Sequence, residues 1–192
     1  MSRKPFICGN WKLNHHLAEV REVAKAIAAG TPRDGVDVGI APVATTLFAA
    51  VEAAEGSALK IGGQNVYQAE KGAFTGEWSV EHLKELGCAF AIVGHSERRQ
   101  YFGETDEGVA AKTRAVIDGG IACIACVGET LEEREAGDTM KVIERQVNAI
   151  LGALNPDDVV KTVIAYEPVW AIGTGKTASA AQAQEVHAHI RS

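Results

Sequence analysis

Ile121-Ala-Cys-Ile-Ala-Cys-Val127 is apolar at every position, and Gly128-Glu129 follows it at once. A strand that shows one face to water alternates apolar and polar residues. A strand covered on both faces does not, so this run has the pattern of a parallel strand sandwiched between other layers. Short β-rich runs of the same kind recur along the chain: Phe6-Ile-Cys8, Val36-Asp-Val-Gly-Ile40, Leu59-Lys-Ile61, Ala89-Phe-Ala-Ile-Val93 and Thr162-Val-Ile-Ala-Tyr166. Segments rich in Ala, Glu, Lys and Leu lie between them. Leu17, Val20, Val23, Ala24 and Ile27 fall at helical spacing, as do Val109, Ala110, Thr113, Val116 and Ile117. Leu131 to Leu154 reads as the longest helix, ended by Asn155-Pro-Asp-Asp, and Thr177 to Arg191 reads as a final one. The pattern is β-α repeated six times, with no low-complexity linker, so residues 1–192 form one domain. Two parallel architectures fit, a doubly wound open sheet and a (β/α) barrel. No G-x-G-x-x-G follows the first strand, which counts against a dinucleotide-binding sheet.

Composition narrows the function classes. The 192 residues carry 25 acidic against 19 basic side chains, a net charge of −6, so no nucleic-acid-binding surface is expected. An anionic ligand must be met locally, by a lysine or by backbone amides. No apolar run approaches membrane-spanning length, and Met1-Ser-Arg-Lys-Pro-Phe lacks the apolar stretch of a signal peptide. The expectation is a cytoplasmic protein with no membrane partner. Cys8, Cys88, Cys123 and Cys126 all lie in apolar, strand-like surroundings, as buried reduced thiols do. Cys123 and Cys126 have redox spacing but sit inside a strand, and no second Cys/His pair completes a zinc site. No metal and no cofactor are expected.

Each apolar run ends in polar chemistry. The first gives Gly9-Asn10-Trp11-Lys12, the third Gly62-Gly-Gln-Asn65, the fourth Gly94-His95-Ser96-Glu97-Arg98, the fifth Gly128-Glu129 and the sixth Glu167. Residues just past the C-terminal ends of parallel strands gather on one face, where active sites form. Lys12 reads either as a solvated loop lysine or as a ligand for an anion. His95 reads either as a satisfied helix-terminus histidine or as a catalytic one. Ser96-Glu97-Arg98-Arg99 also fits a helix cap with an ion pair. Glu167 is the hardest to explain away, because Pro168-Val169-Trp170-Ala171-Ile172-Gly173-Thr174-Gly175-Lys176 follows it. A carboxylate before a loop hinged on glycines is the arrangement of a base beneath a movable lid. Gly175-Lys176-Thr177 is not a P-loop, since that motif needs glycine where Trp170 stands.

Four blocks together resemble the triose-phosphate isomerase family: Gly9-Asn-Trp-Lys12, Gly62-Gly-Gln-Asn65, Ile92-Val-Gly-His-Ser-Glu-Arg-Arg99 and Ala165-Tyr-Glu-Pro-Val-Trp-Ala-Ile-Gly-Thr-Gly-Lys176. Cys126-Val-Gly-Glu129 fits as well, and the similarity runs through the whole chain in order. The resemblance implies an α/β fold, a parallel (β/α) barrel of the TIM type. It implies a cofactor-free isomerase that interconverts dihydroxyacetone phosphate and glyceraldehyde 3-phosphate through an enediolate. Lys12, His95 and Glu167 would be catalytic. Asn10, Lys12 and Gly173 would bind substrate, and Glu97 and Ser96 would support them. Pro168 to Lys176 would be the lid. The segment Gln64 to Glu77 resembles the family's dimer arm, whose Thr75 would reach into a second chain's active site. A closed eightfold barrel takes about 250 residues. With six β-α units, the expectation is an incomplete barrel, open or completed by self-association into a homodimer or larger homo-oligomer. Phosphate binding would be weakened by the absence of the loops of units seven and eight. The same features fit an alternative, a relative that folds and self-associates without turnover.

Overall fold

The computed structural model describes residues 4–192; residues 1–3, and with them part of the N-terminal leader reading, lie outside the described residues. The elements run β1 (Phe6–Asn10), α1 (Leu17–Gly30), β2 (Asp37–Ala41), α2 (Leu47–Ala53), β3 (Lys60–Gly63), α3 (Val80–Glu85), β4 (Phe90–Val93), α4 (Ser96–Phe102), α5 (Asp106–Asp118), β5 (Ala122–Val127), α6 (Leu131–Glu135), α7 (Thr139–Gly152), β6 (Thr162–Tyr166) and α8 (Ala180–Ile190). Every neighbouring strand pair is parallel, and the spatial order is β1-β2-β3-β4-β5-β6. A doubly wound sheet reverses its strand order at a switch point. This one never does, so the barrel alternative holds, as an incomplete barrel of six units.

The sheet is curled. The rings of Phe6 on β1 and Phe90 on β4 meet edge to face with centroids 5.5 Å apart. In a flat sheet these strands would stand about 14 Å apart, with parallel side chains. Two glycines make room for the meeting. A Cβ on Gly39 of β2 would come within 2.9 Å of both rings, and one on Gly62 of β3 would run into the Phe90 ring. Phe90, Ile92, Ile124, Cys126 and Ala41 form this inner layer, with Phe6, Cys8 and Ala165 against it. The intervening residues, among them Ile40, Ile61, Ala91, Val93, Cys123, Ala125 and Val127, point the other way into the larger core under the helices. The apolar runs are therefore two alternating sets, each with its own layer to fill.

Helix boundaries follow local chemistry. The Thr105 side chain accepts from the Gly108 N–H at the start of α5, and Ser179 and Gln182 cap the start of α8. Val20, Ala24 and Ala28 are the buried stripe of α1, whereas Leu17, expected on that stripe, is exposed. The expected single helix from Leu131 to Leu154 is two. Gly137, at φ +79°, takes the left-handed conformation that ends α6, and α7 restarts at Thr139.

The outer strands differ from the inner ones. Ile7 on β1 is 65% exposed and Val163 on β6 is 42% exposed, while β4 is buried throughout. Gly62→Ala is expected to lower stability by about 1–3 kcal/mol through overpacking against Phe90. Gly152→Ala, at a helical site with nothing within 4 Å, should be neutral or stabilising. Urea denaturation of the two variants checks the contrast.

Candidate active site

The curl brings the C-terminal ends of β1, β4, β5 and β6 to one rim. At the end of β1 the chain turns through Lys12, at φ +51°, one of two non-glycine residues with positive φ among the described residues. The turn is held from both sides. The Lys12 N–H donates to the Asn10 side-chain oxygen at 3.1 Å, and the Gln64 amide donates to the carbonyls of Lys12 and Ala41, at 2.8 Å each. So fixed, the Lys12 ammonium lies 2.8 Å from Glu97 Oε1.

His95 caps the N-terminus of α4, and Ser96 beside it is buried. The His95 Nδ1 accepts from the Glu97 backbone N–H at 3.2 Å. A ring nitrogen that accepts carries no proton, so the neutral ring has its proton on Nε2. The helix-terminus and catalytic readings of His95 are thus compatible: one nitrogen caps, the other is free. Nε2 lies 3.2 Å from Glu167 Oε2, yet the two are not aligned for a hydrogen bond, and both atoms are buried without a partner. Two unpaired buried polar atoms are costly to keep unless a further group is to bond to them. Lys12, Glu97, His95 and Glu167 form one continuous row across the rim.

Glu167 is seated by backbone. Its N–H donates to the Val127 carbonyl at 2.9 Å, and the next residue but one, Val169, donates to the Glu129 carbonyl at 3.1 Å. Gly128 must be glycine, because a Cβ there would strike the Glu167 carbonyl oxygen. The Gln146 side chain of α7 satisfies both backbone groups of Gly128, at 2.8 and 3.1 Å.

Glu129 is the residue whose role sequence reasoning missed. Its carboxylate is fully buried and accepts from the Tyr166 hydroxyl, from Trp170 Nε1 at 2.8 Å and from Arg134 at 3.2 Å. Burial, and then the neighbouring Glu129 charge, push the Tyr166 hydroxyl pKa up, so it remains a donor. Pro168 to Ala171 are thereby pinned at Trp170, which is buried. Beyond Ile172, the loop turns at Gly173 and Gly175, with φ of +67° and +76°, and Gly173 through Lys176 are exposed. The segment has a fixed root and a bare tip.

Other anticipated positions fall elsewhere. Thr75 is exposed on the arm, whose base is tied by the Trp78 indole donating to the Asn65 carbonyl at 2.8 Å. Among the described residues, no three His, Cys, Asp or Glu side chains stand together as a metal site. No helix among them is long and apolar enough to cross a membrane. Cys88, Cys123 and Cys126 are buried free thiols, and burial pushes the Cys123 thiol pKa up to about 12.

A curled parallel β-α sheet with a lysine, a histidine and a carboxylate on its C-terminal rim defines a (β/α)-barrel enzyme. The comparisons with known proteins carry this one step further. The family model described as Triosephosphate isomerase matches residues 5–192. The triosephosphate isomerase of Endomicrobium trichonymphae is 50% identical over 190 residues, covering 98% of this chain and 76% of that protein. That of Syntrophotalea carbinolica is 50% identical, covering 99% and 76%, and that of Streptococcus thermophilus is 48% identical, covering 100% and 76%. The chain belongs to the triosephosphate isomerase family and spans about three quarters of the length of these relatives.

Glu129→Ala would leave the Tyr166 hydroxyl, the Trp170 indole and the Arg134 guanidinium without their acceptor. Removing one partner of a buried charged pair costs about 3–5 kcal/mol. The expected result is a fall of that size in urea, with Trp170 fluorescence shifted to the red in the folded state.

Proposed function

We propose that this chain interconverts dihydroxyacetone phosphate and glyceraldehyde 3-phosphate by moving one proton between neighbouring carbons. The observation that carries the reading is the pair of buried atoms without hydrogen-bond partners, His95 Nε2 and Glu167 Oε2, 3.2 Å apart. A proton α to a carbonyl is very weakly acidic. Its removal needs a positioned carboxylate and a donor at the oxygen that becomes negative. Glu167 takes the proton from C1 of dihydroxyacetone phosphate. The His95 Nε2–H donates to the C2 carbonyl oxygen as charge develops there. His95 gives its Nε2 proton to the C2 oxygen and takes the proton of the C1 hydroxyl in its place, while Glu167 returns its proton to C2; C1 is left as the aldehyde and both side chains regain their starting states.

Lys12 supplies the positive charge, in a chain with net charge −6, that the phosphate and the enediolate require. Asn10 and Glu97 hold Lys12 in place, and Ser96 packs in the first turn of the helix that His95 caps. The Pro168–Lys176 loop closes over the bound substrate, bringing the Gly173 amide to the phosphate and excluding water, which would otherwise let the enediolate eliminate its phosphate. No cofactor takes part in this scheme. Glu167→Asp withdraws the carboxylate by one methylene, and an error of that size in the reacting distance costs about 100-fold. A coupled assay is expected to show kcat reduced by about that factor with the fold intact by circular dichroism. Unchanged turnover would remove Glu167 from the role of base.

The assembly reading is a homodimer or larger homo-oligomer in the cytoplasm. Leu13, Tyr101, Phe102, Phe48 and Phe74 are exposed apolar side chains, and Leu13 is 90% exposed. Thr75 lies next to Phe74 on the arm, which can carry it to a second chain. Free cysteines support a reducing compartment. Light scattering at micromolar concentration is expected to give at least twice the mass of one chain; a clean monomer that unfolds cooperatively would refute self-association.

A further inference from the structure

The β4–β5 register ends at the pair Val93↔Ala125. The next residue on each strand, Gly94 and Cys126, is joined to the other through one side chain. Arg99 Nε donates to the Gly94 carbonyl at 2.9 Å, and its Nη2 donates to the Cys126 carbonyl at 3.3 Å. The third edge of the guanidinium, Nη1, donates to Asp106 Oδ1 at 2.6 Å, and Asp106 Oδ2 accepts from Arg145 Nε at 2.8 Å. Arg99 is mostly buried, with 16% of its side chain exposed.

We propose that Arg99 is a positioning residue that sets the separation between His95 and Glu167 by clipping the ends of β4 and β5 together. The inference rests on the proton-transfer reading of those two residues. His95 follows Gly94 directly. A peptide unit is planar, so holding the Gly94 carbonyl fixes the plane from which His95 springs. Glu167 is carried by β6, which pairs to β5 through Cys126↔Ala165 and Val127↔Tyr166. The two site residues are therefore separated by β5 alone, and the splay of β4 from β5 is the variable that sets their distance. Arg99 spans that splay where the ladder gives out. Gly94 sits at φ +69°, and a Cβ there would come within 2.7 Å of Val109, so the position takes glycine, and its backbone relies on outside bonds to be held. Asp106 stays ionised beneath the clip: burial pushes its pKa up, but the bonds from Arg145 and Arg99 lower it on balance. The neighbouring Arg98 is turned to Glu104 and Phe102 and bridges nothing on the rim.

Arginine is needed for the geometry of the fork. A lysine ammonium could keep the charge against Asp106, but its three donors radiate from one nitrogen and do not reproduce a planar fork whose three nitrogens reach Asp106 and two carbonyls on separate strands. A purely structural ion pair would thus survive Arg99→Lys, and a positioning clip would not. The readout is the long-range ¹H–¹⁵N spectrum of the imidazole rings in the labelled 192-residue chain. In the unaltered chain, His95 is expected as a single tautomer, with Nε2 protonated. In Arg99→Lys, the two His95 ring nitrogen shifts should move toward each other as the tautomers begin to exchange. Arg145→Met, which removes only the outer partner of Asp106, should lower stability and leave the His95 shifts unchanged. Where turnover is measurable, Arg99→Lys should lower kcat about tenfold with KM within twofold. Absence of turnover in the unaltered chain would count against the proposed activity, while the nitrogen spectrum would still decide the clip. His95 shifts unchanged in Arg99→Lys, or moved equally by Arg145→Met, would overturn the proposal. Should Arg99→Lys not fold, Arg99→Gln carries the same expectation, and failure of both to fold would assign Arg99 to the fold alone.

Discussion

The meeting of Phe6 and Phe90 above Gly39 and Gly62 is the constraint on which the rest depends. An edge-to-face ring pair contributes only about 0.5–1.5 kcal/mol beyond its buried area. Its larger effect is geometric. Two strands without side chains at the crossing point allow the strands on either side to swing toward each other, and the sheet bends about that line. Once it bends, the strand ends on one rim converge. Side chains from β1, β4 and β6, far apart in sequence, then share a space a few ångströms wide. The chemistry of the rim is thus a consequence of two absent Cβ atoms deep in the sheet.

The rim itself divides into parts that are fixed and parts that are not. Glu129, itself fully buried, gathers the hydroxyl of Tyr166, the indole of Trp170 and the guanidinium of Arg134. Gln146 and the glycine at 128 lock the adjoining backbone. In the proposed closure, a loop rooted so firmly would swing as a flap, whereas one loose at both ends would wander. The exposed glycines at its tip, Gly173 and Gly175, are where such a movement would meet the least resistance.

Much of this was legible in the sequence. Apolar runs without alternation gave a parallel sheet, and the absence of a glycine fingerprint pointed to a barrel. Polar residues after each run located the rim, because strand ends in such folds face one way. Lys12, His95 and Glu167 could be singled out for that reason, while the part of Glu97 came only with the family resemblance. Three features were hidden. The break at Gly137 was masked by strong helix formers on both sides, although a glycine before aspartate was the available signal. Glu129 was visible as a strand-end carboxylate, but nothing in its spacing says that it would be buried among donors from β6 and the loop beyond it. Arg99 looked like half of a charged pair on a helix. Its bonds to two carbonyls on different strands depend on the curl, which no local pattern encodes.

Lys12 carries a consequence for how such a chain changes over time. At φ +51° a lysine holds a backbone conformation that costs a residue with a Cβ about 1–3 kcal/mol, while glycine adopts it freely. Selection for thermal robustness alone would drift this position toward glycine and lose the ammonium with it. The charge is kept against a standing gradient in conformational energy. A library screened only for melting temperature would therefore be enriched in chains whose rim no longer carries a cation at this position.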